Sequence, residues 1–312
     1  MRAIEIELKI KYNLLHMPTP LNSMQFSQLV DMYNPAAVFE EVKNIFVNSY
    51  PVNEFESVRK IYIDFIRLYN GKYPGYCACN TNYHDKMHIT DALLAMARLI
   101  DGYNVVHKKI PVHLARLGLI AAIFHDAGYI QSIHDVKGTG AKYTLTHVER
   151  SVGFLKTYFT KNNFSKNEFR IASNMILCTD MLIPVEKIGF GNSAERTAGL
   201  MLASADLLGQ MASRCYLERL MFLYREFREG QVKGYTSELG LLRKTLDFSK
   251  FIQRRLKITL ENTAQYVHFH FKKKYHIDRN FYREAMEKQL GYLKDTVLKY
   301  PKEYRKYLRR TG

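Results

Sequence analysis

Seven of the eleven histidines, His84, His88, His107, His113, His125, His134 and His147, fall between positions 84 and 147. Within Tyr83-His84-Asp85-Lys86-Met87-His88-Ile89-Thr90-Asp91, His84 and His88 are four apart, so a helix would put both rings on one face, with Asp91 on the next turn. Alone, such a pair suits a surface or a core as well as a site. A second element, Leu119-Ile120-Ala121-Ala122-Ile123-Phe124-His125-Asp126, runs an apolar helix straight into a histidine and a carboxylate. Burying an ionised carboxylate is costly unless a cation compensates it. A third, Gly199-Leu200-Met201-Leu202-Ala203-Ser204-Ala205-Asp206, sets one acid in an apolar helix with no Lys or Arg within a turn. Together these stretches supply two imidazoles and two carboxylates, a donor set suited to a hard or borderline divalent ion.

The elements that must position these groups read as helices. Apolar residues recur three and four apart over 55–68, 90–101, 112–125, 147–159, 195–227 and 250–271, and an all-α fold is expected. Glycine and proline cluster at 71–75, 138–140, 184–191 and 230–240, which reads as the loops. Residues 1–80 hold a possible short strand at 4–10 and two helices, and only one histidine, His16. The expected division is an amino-terminal helical extension over 1–80 and a domain bearing the chemistry over 81–312. No repeat or low-complexity tract is visible.

The 312 residues are 47% hydrophobic and 24% charged, enough to bury a sizeable core and too apolar for a disordered chain. No apolar run reaches the roughly 20 residues of a membrane span. Acidic residues Glu5 and Glu7 interrupt what an export signal would need to be apolar, so a soluble, cytoplasmic protein is expected. Cys77, Cys79, Cys178 and Cys215 lack zinc or redox spacing and read as reduced thiols. The net charge is +16, and the chain from Arg214 onward carries 24 Lys+Arg against 11 Asp+Glu. That field suits phosphate-bearing substrates, nucleic acid or an acidic surface, and equally a solvated helical face.

The joint pattern, His88, then His125-Asp126, then Asp206, resembles the HD-domain metal-dependent phosphohydrolase superfamily. The stretch from Tyr83 to Asp91 is similar to the Tyr-His-Asn-x-x-His-x-x-Asp signature of class I cyclic-nucleotide phosphodiesterases, and Ala121 to Asp126 to their metal segment. Cys178-Thr179-Asp180-Met181 and Ala205-Asp206-Leu207 are similar to that family's Ala-Thr-Asp-Met and Ala-Asp-Leu. The resemblance covers about residues 83–206 in the family's order. It implies an all-α domain with the site between central helices and two divalent ions of zinc, manganese, magnesium or iron. His88, His125, Asp126 and Asp206 would hold the first ion, with Asp126 bridging to the second. Two such cations bind phosphoryl oxygens and lower the pKa of a bridging water for in-line attack. His84 would be the general acid, a step suited to an imidazole of pKa about 6.5, with Asp91 or another carboxylate holding its second nitrogen. Thr179 and Asp180 would support the site, and Tyr83 and Met181 would line the substrate pocket.

There are departures. The family's His-Asp-x-x-His becomes His125-Asp126-Ala127-Gly128-Tyr129, with a tyrosine in place of the supporting histidine. His147 lies where other HD-domain hydrolases have an extra histidine and phosphodiesterases a glutamate, so His147 or Glu149 faces the second ion. The base-reading glutamine is missing: Phe248 stands in its place, three residues before Phe251, the candidate stacking ring. The basic, glycine-containing loop 137–144 is a candidate lid and lacks a Walker or dinucleotide fingerprint.

The leading expectation is a metal-dependent phosphohydrolase cleaving a nucleotide phosphodiester, with a cyclic nucleotide favoured. A nucleotidase or guanosine-polyphosphate hydrolase is the alternative within enzymes. Another class is a nucleic-acid or nucleotide binding protein that uses Tyr266, Phe269, Phe271, Tyr275 and Lys272, Lys273 and Lys274 in the basic carboxy-terminal third.

Overall fold

The computed structural model describes residues 24–310. Among them are eleven α-helices and no strand beyond one isolated bridge, Tyr76 to Ser132. They are α1 (Pro35–Val47), α2 (Glu56–Tyr69), α3 (Lys86–Val106), α4 (Val112–Phe124), α5 (His147–Lys161), α6 (Lys166–Leu177), α7 (Ser193–Ala212), α8 (Tyr216–Glu229), α9 (Glu238–Arg254), α10 (Tyr266–Tyr275) and α11 (Phe281–Tyr292). The possible strand at 4–10 lies outside the described residues. No helix among those described is long and apolar enough to cross a membrane.

Helix α3 is the axis of the fold, packed against α1, α4, α7 and α10. Every residue from His88 to Gly102 is buried, which explains why this helix is apolar on all sides rather than along one stripe. Side-chain caps set where the helices begin. Asp85 accepts from His88 N at the start of α3, Asn192 from Glu195 N at α7, and Ser165 forms a reciprocal box with Glu168 at α6. Val38, Phe65, Ile120, Leu202 and Phe271 belong to one continuous core, so α1 and α2 share their interior with the helices that follow residue 80. Each such side chain contributes on the order of 1.5–3 kcal/mol by leaving water.

Two long periodic stretches prove to be interrupted. The stretch 195–227 breaks at Ser213 to Cys215, between α7 and α8, and 250–271 passes through a π-helical segment, Arg255–Thr259, and a left-handed turn at Glu261 and Asn262 before α10. Periodicity continued across these breaks because the apolar residues on either side face the same core. All four cysteines are free.

The aromatic and lysine run on α10 is built into this core. Tyr266, Val267 and Phe271 are buried, while Lys272 pairs with Asp278, Lys273 with Asp101 and Lys274 with Glu41. These rings and cations are spent on packing and ion pairs, so α10 offers no row of exposed rings on which bases would stack. Beside Lys273, fully buried His270 donates from Nδ1 to Asp101 Oδ2 at 2.7 Å. Burial, reinforced by the charge of Arg98, pushes its imidazole down to about 4, against the pull of Asp101. The unfolded chain, with a histidine near 6.5, therefore binds the proton first. Stability contributed by this group is full above about pH 6.5 and is lost as pH falls towards 4. Urea midpoints at pH 7 and 4.5 should show this loss, with a smaller difference in His270→Gln; an equal difference would assign the acid lability elsewhere.

Candidate metal centre

Three elements meet at the cluster. His88 lies in the first turn of α3, His125 caps the carboxyl end of α4 with Asp126 directly after it, and Asp206 lies in the middle of α7. A close helix crossing brings them together. A Cβ on Gly209 would stand 2.9 Å from Ala92 N and 3.0 Å from the Asp91 carbonyl carbon, so α7 approaches the α3 backbone at a distance only glycine allows. Asp206, one turn earlier, is thereby held against His88. Gly209→Ala should force the helices apart, costing about 1–3 kcal/mol and weakening metal binding, as read by urea unfolding and metal titration. Unchanged values in both would mean that the crossing yields freely.

Within the cluster, the Nε2 atoms of His88 and His125 face each other at 3.2 Å. Asp206 Oδ1 lies 3.3 and 3.6 Å from them, and Asp126 Oδ2 lies 3.1 and 3.5 Å from the same two atoms. The ligand atoms of His88, His125 and Asp206 all fall within 4.8 Å of one another, an arrangement that could hold a metal ion. All four residues are buried. His125 Nδ1 donates to Ala122 O at 2.9 Å, which leaves the Nε2 lone pair directed inward, the tautomer of a metal ligand. Asp126 Oδ2 is buried and, among the described residues, accepts no hydrogen bond. Two converging imidazole nitrogens and an orphaned carboxylate oxygen are what a bound cation would satisfy.

The electrostatics of the four groups are mutual. Burial works against the charged ring of His88, but Asp126 and Asp206 outweigh it and hold the ring up at about 10; His125 is raised in the same way. Burial likewise opposes charge on Asp126 and Asp206, yet the facing imidazoles keep both carboxyls below their usual range. A divalent ion entering here would displace protons from the rings and take over the role of neutralising the carboxylates.

On the other side of Asp126, His147 Nε2 stands 3.6 Å from Oδ1, while its Nδ1 donates to Thr144 O at 2.7 Å. Burial pushes this imidazole below its ordinary value, so a neutral lone pair faces the carboxylate. A second close approach sets this contact: a Cβ on Gly128 would meet His147 O at 1.9 Å, and Gly128 is bonded to α5 through Ser151 and Arg150. Glu149 is exposed, whereas His147 stands against Asp126.

His84, just before α3, is buried at the edge of the cluster. Its Nδ1 donates to Glu226 Oε2 at 2.6 Å, and the other oxygen of that carboxylate accepts from Tyr83 N at 2.6 Å. The carboxylate that orients His84 is therefore Glu226 on α8, not Asp91. Tyr129, standing where the resembled family has a histidine, stacks with the rings of both His84 and His147, with centroids 4.2 and 4.6 Å away. Tyr83 is 4% exposed, and its hydroxyl donates to Gln210 Oε1, while Gln210 Nε2 donates to Asp206 Oδ1 at 2.7 Å. Tyr83 thus supports Asp206 from behind through Gln210. Asp91 is buried, and its carboxyl is lifted by burial to about 7 against the pull of Arg219 and His88; it makes no hydrogen bond to His84.

The remaining candidates sit further out. Thr179 Oγ1 donates to Ile176 O and Asp180 Oδ1 accepts from Leu182 N, so both side chains shape the turn after α6. Arg255 donates to the carbonyls of Cys178 and Asp180, tying that turn to the end of α9. Met181 and Phe251 stand exposed on the two segments so joined. The loop 137–144 is fastened rather than free. Gln131 Nε2 donates to the carbonyl of Asp135 and reaches that of Lys137, Asn80 accepts from Gly140 N, and Glu229 accepts from Thr139 N and Oγ1.

Sequence spacing had no means of finding Glu226 or Arg255, which lie more than a hundred residues from His84, whereas Gln210 stands four residues after Asp206 on the same helix, a spacing that could have found it. The fold and cluster define an all-α protein with a buried His/Asp constellation of metal-ligand type. The chain belongs to the Npun_R2479-like family, whose match spans residues 131–289. That stretch contains His147, Asp206, Gln210 and Glu226; His84, His88, His125 and Asp126 precede it. No curated protein and no solved structure matches the chain.

Proposed function

We propose that the chain is a divalent-metal-dependent phosphohydrolase of the HD-domain kind, acting on a nucleotide phosphodiester, with a cyclic nucleotide favoured. The observation that carries the reading is the convergence of His88, His125 and Asp206, with the buried Oδ2 of Asp126 against the two imidazole nitrogens. In this reading those four residues hold one ion, and Asp126 Oδ1 with His147 faces the position of a second. Bound divalent ions supply charge neutralisation at the phosphoryl oxygens and acidify water. The chain's own part is to hold and deliver a proton. His84, fixed through Nδ1 by Glu226, keeps Nε2 free to protonate the leaving oxygen. Tyr129 stacks against it and holds the ring plane. Exposed Phe251 and Met181 offer apolar contact for a base.

One observation favours the broader alternative, a nucleotidase or guanosine-polyphosphate hydrolase. His147 rather than a carboxylate meets Asp126, and that histidine is the feature in which the sequence leaves the phosphodiesterase pattern. Elemental analysis of the purified chain, followed by a hydrolysis screen with manganese or magnesium, separates the two. Cleavage of cyclic nucleotides supports the first reading, and release from nucleoside mono- or polyphosphates the second. Absence of both metal and cleavage would sink the phosphohydrolase proposal.

A further inference from the structure

A cavity of about 500 Å3 opens between the start of α3, the break after α7, α11 and the segment 25–33. None of His84, His88, His125, Asp126, His147 and Asp206 lines it. A volume of this size suits a small organic ligand. Its accessible apolar surface comes from Phe26, Met32 and Met87, which are half-buried, and from Tyr33, which is 48% exposed. Asp91 also belongs to the wall, but at 6% exposed it presents almost none of its carboxylate.

The charges on this wall do not balance. Arg219 is paired with Asp85 and Arg279 with Glu284. Arg214, Lys288 and Arg310 are exposed and form no ion pair among the described residues, while Asp31 is the one exposed acid on the lining. Backbone and amide contacts draw these three cations together. Gln289 on α11, next to Lys288, donates from Nε2 to the carbonyls of Ser213 and Arg214, and Arg310 donates from Nη1 to the Arg214 carbonyl and to Gln289 Oε1. The charge of Arg214 also reaches the Tyr33 phenol, so cations and apolar wall stand side by side. Gathering like charges is unfavourable until an anion joins them. Two guanidinium forks and an ammonium offer more donors than the two oxygens of a carboxylate take up, and they match a tetrahedral, doubly charged phosphoryl group. The apolar wall beside them favours a compact apolar body on the same molecule.

We propose that this cavity binds a phosphate monoester with a small apolar body, at a site separate from the metal centre, the phosphate at Arg214, Lys288 and Arg310 and the body against Phe26, Met32, Tyr33 and Met87. The site stands independently of the phosphohydrolase reading. Its test is calorimetric titration of the whole chain with phenyl phosphate, inorganic phosphate and benzoate, in EDTA so that divalent ions at the other centre do not contribute. The expected result is saturable binding of one phenyl phosphate per chain. Inorganic phosphate, which lacks the ring, and benzoate, which lacks the second charge, should each bind at least about tenfold more weakly. Reversing two exposed cations together, Arg214→Glu with Lys288→Glu, should weaken phenyl phosphate by about tenfold or more, whereas His84→Ala at the other centre should leave it unchanged. Should the charge-reversed chain fail to fold, the three probes on the unaltered chain and His84→Ala still decide. Absence of saturable binding, equal affinity for inorganic phosphate or benzoate, indifference to the charge reversal, or loss of binding in His84→Ala would overturn the assignment.

Discussion

Replacing Asp126 with alanine is expected to remove bound metal and turnover together. This residue is the one carboxylate that touches both halves of the centre, with Oδ2 between His88 and His125 and Oδ1 towards His147. Its loss leaves two imidazole nitrogens 3.2 Å apart with Asp206 as the sole remaining acid among the four residues. The fall in metal affinity should exceed the roughly 10–100-fold that losing a supporting outer residue costs. Asp126→Asn keeps the side-chain shape while removing the charge, so it separates loss of a ligand from loss of packing. Metal stoichiometry, measured beside circular dichroism to confirm folding, is the readout. A folded Asp126→Ala protein with undiminished metal would place the ion elsewhere.

The second large effect should come from the pair His84 and Glu226. His84→Ala is expected to retain metal but lower kcat by about a hundredfold or more, the range for loss of a general acid. Glu226→Gln tests the orienting role separately. The amide offers one oxygen where the carboxylate offers two, so it can accept from the His84 Nδ1 proton or from Tyr83 N but sets its NH2 against the other donor, and the hold on the ring tautomer should weaken. A fall in kcat smaller than that of His84→Ala, with metal content unchanged, is the expected outcome. Metal loss in His84→Ala would instead make this histidine a ligand and would reverse its role.

How much of this was readable before folding differs from residue to residue, for physical reasons. His88, His125, Asp126 and Asp206 could be picked out because burying charged groups in apolar helices is costly, and an apolar helix that nonetheless carries an acid advertises a compensating partner. The all-α class was readable for a similar reason: apolar periodicity is a local property that survives in each helix, although it ran on across the breaks at 213–215 and 255–265. Asp91 and His84, by contrast, share a stretch of chain and invite pairing, yet it is Glu226 on α8 that meets His84. Tyr83 looked like a pocket residue by its place beside His84, and packing buried it against Gln210 instead.

What the amino-acid sequence determined by itself was therefore the inventory: which helices form, and which of them carry histidines and acids at a cost that demands a partner. What only the tertiary structure decided was the company those side chains keep. Glu226 behind His84, Tyr83 behind Gln210, and His147 rather than Glu149 at Asp126 all depend on how separate elements pack. Gly209 and Gly128 let backbones approach where no Cβ fits. These contacts join residues from about twenty to more than a hundred positions apart, and no local spacing records them, because the free energy that selects them is the packing of whole helices around α3.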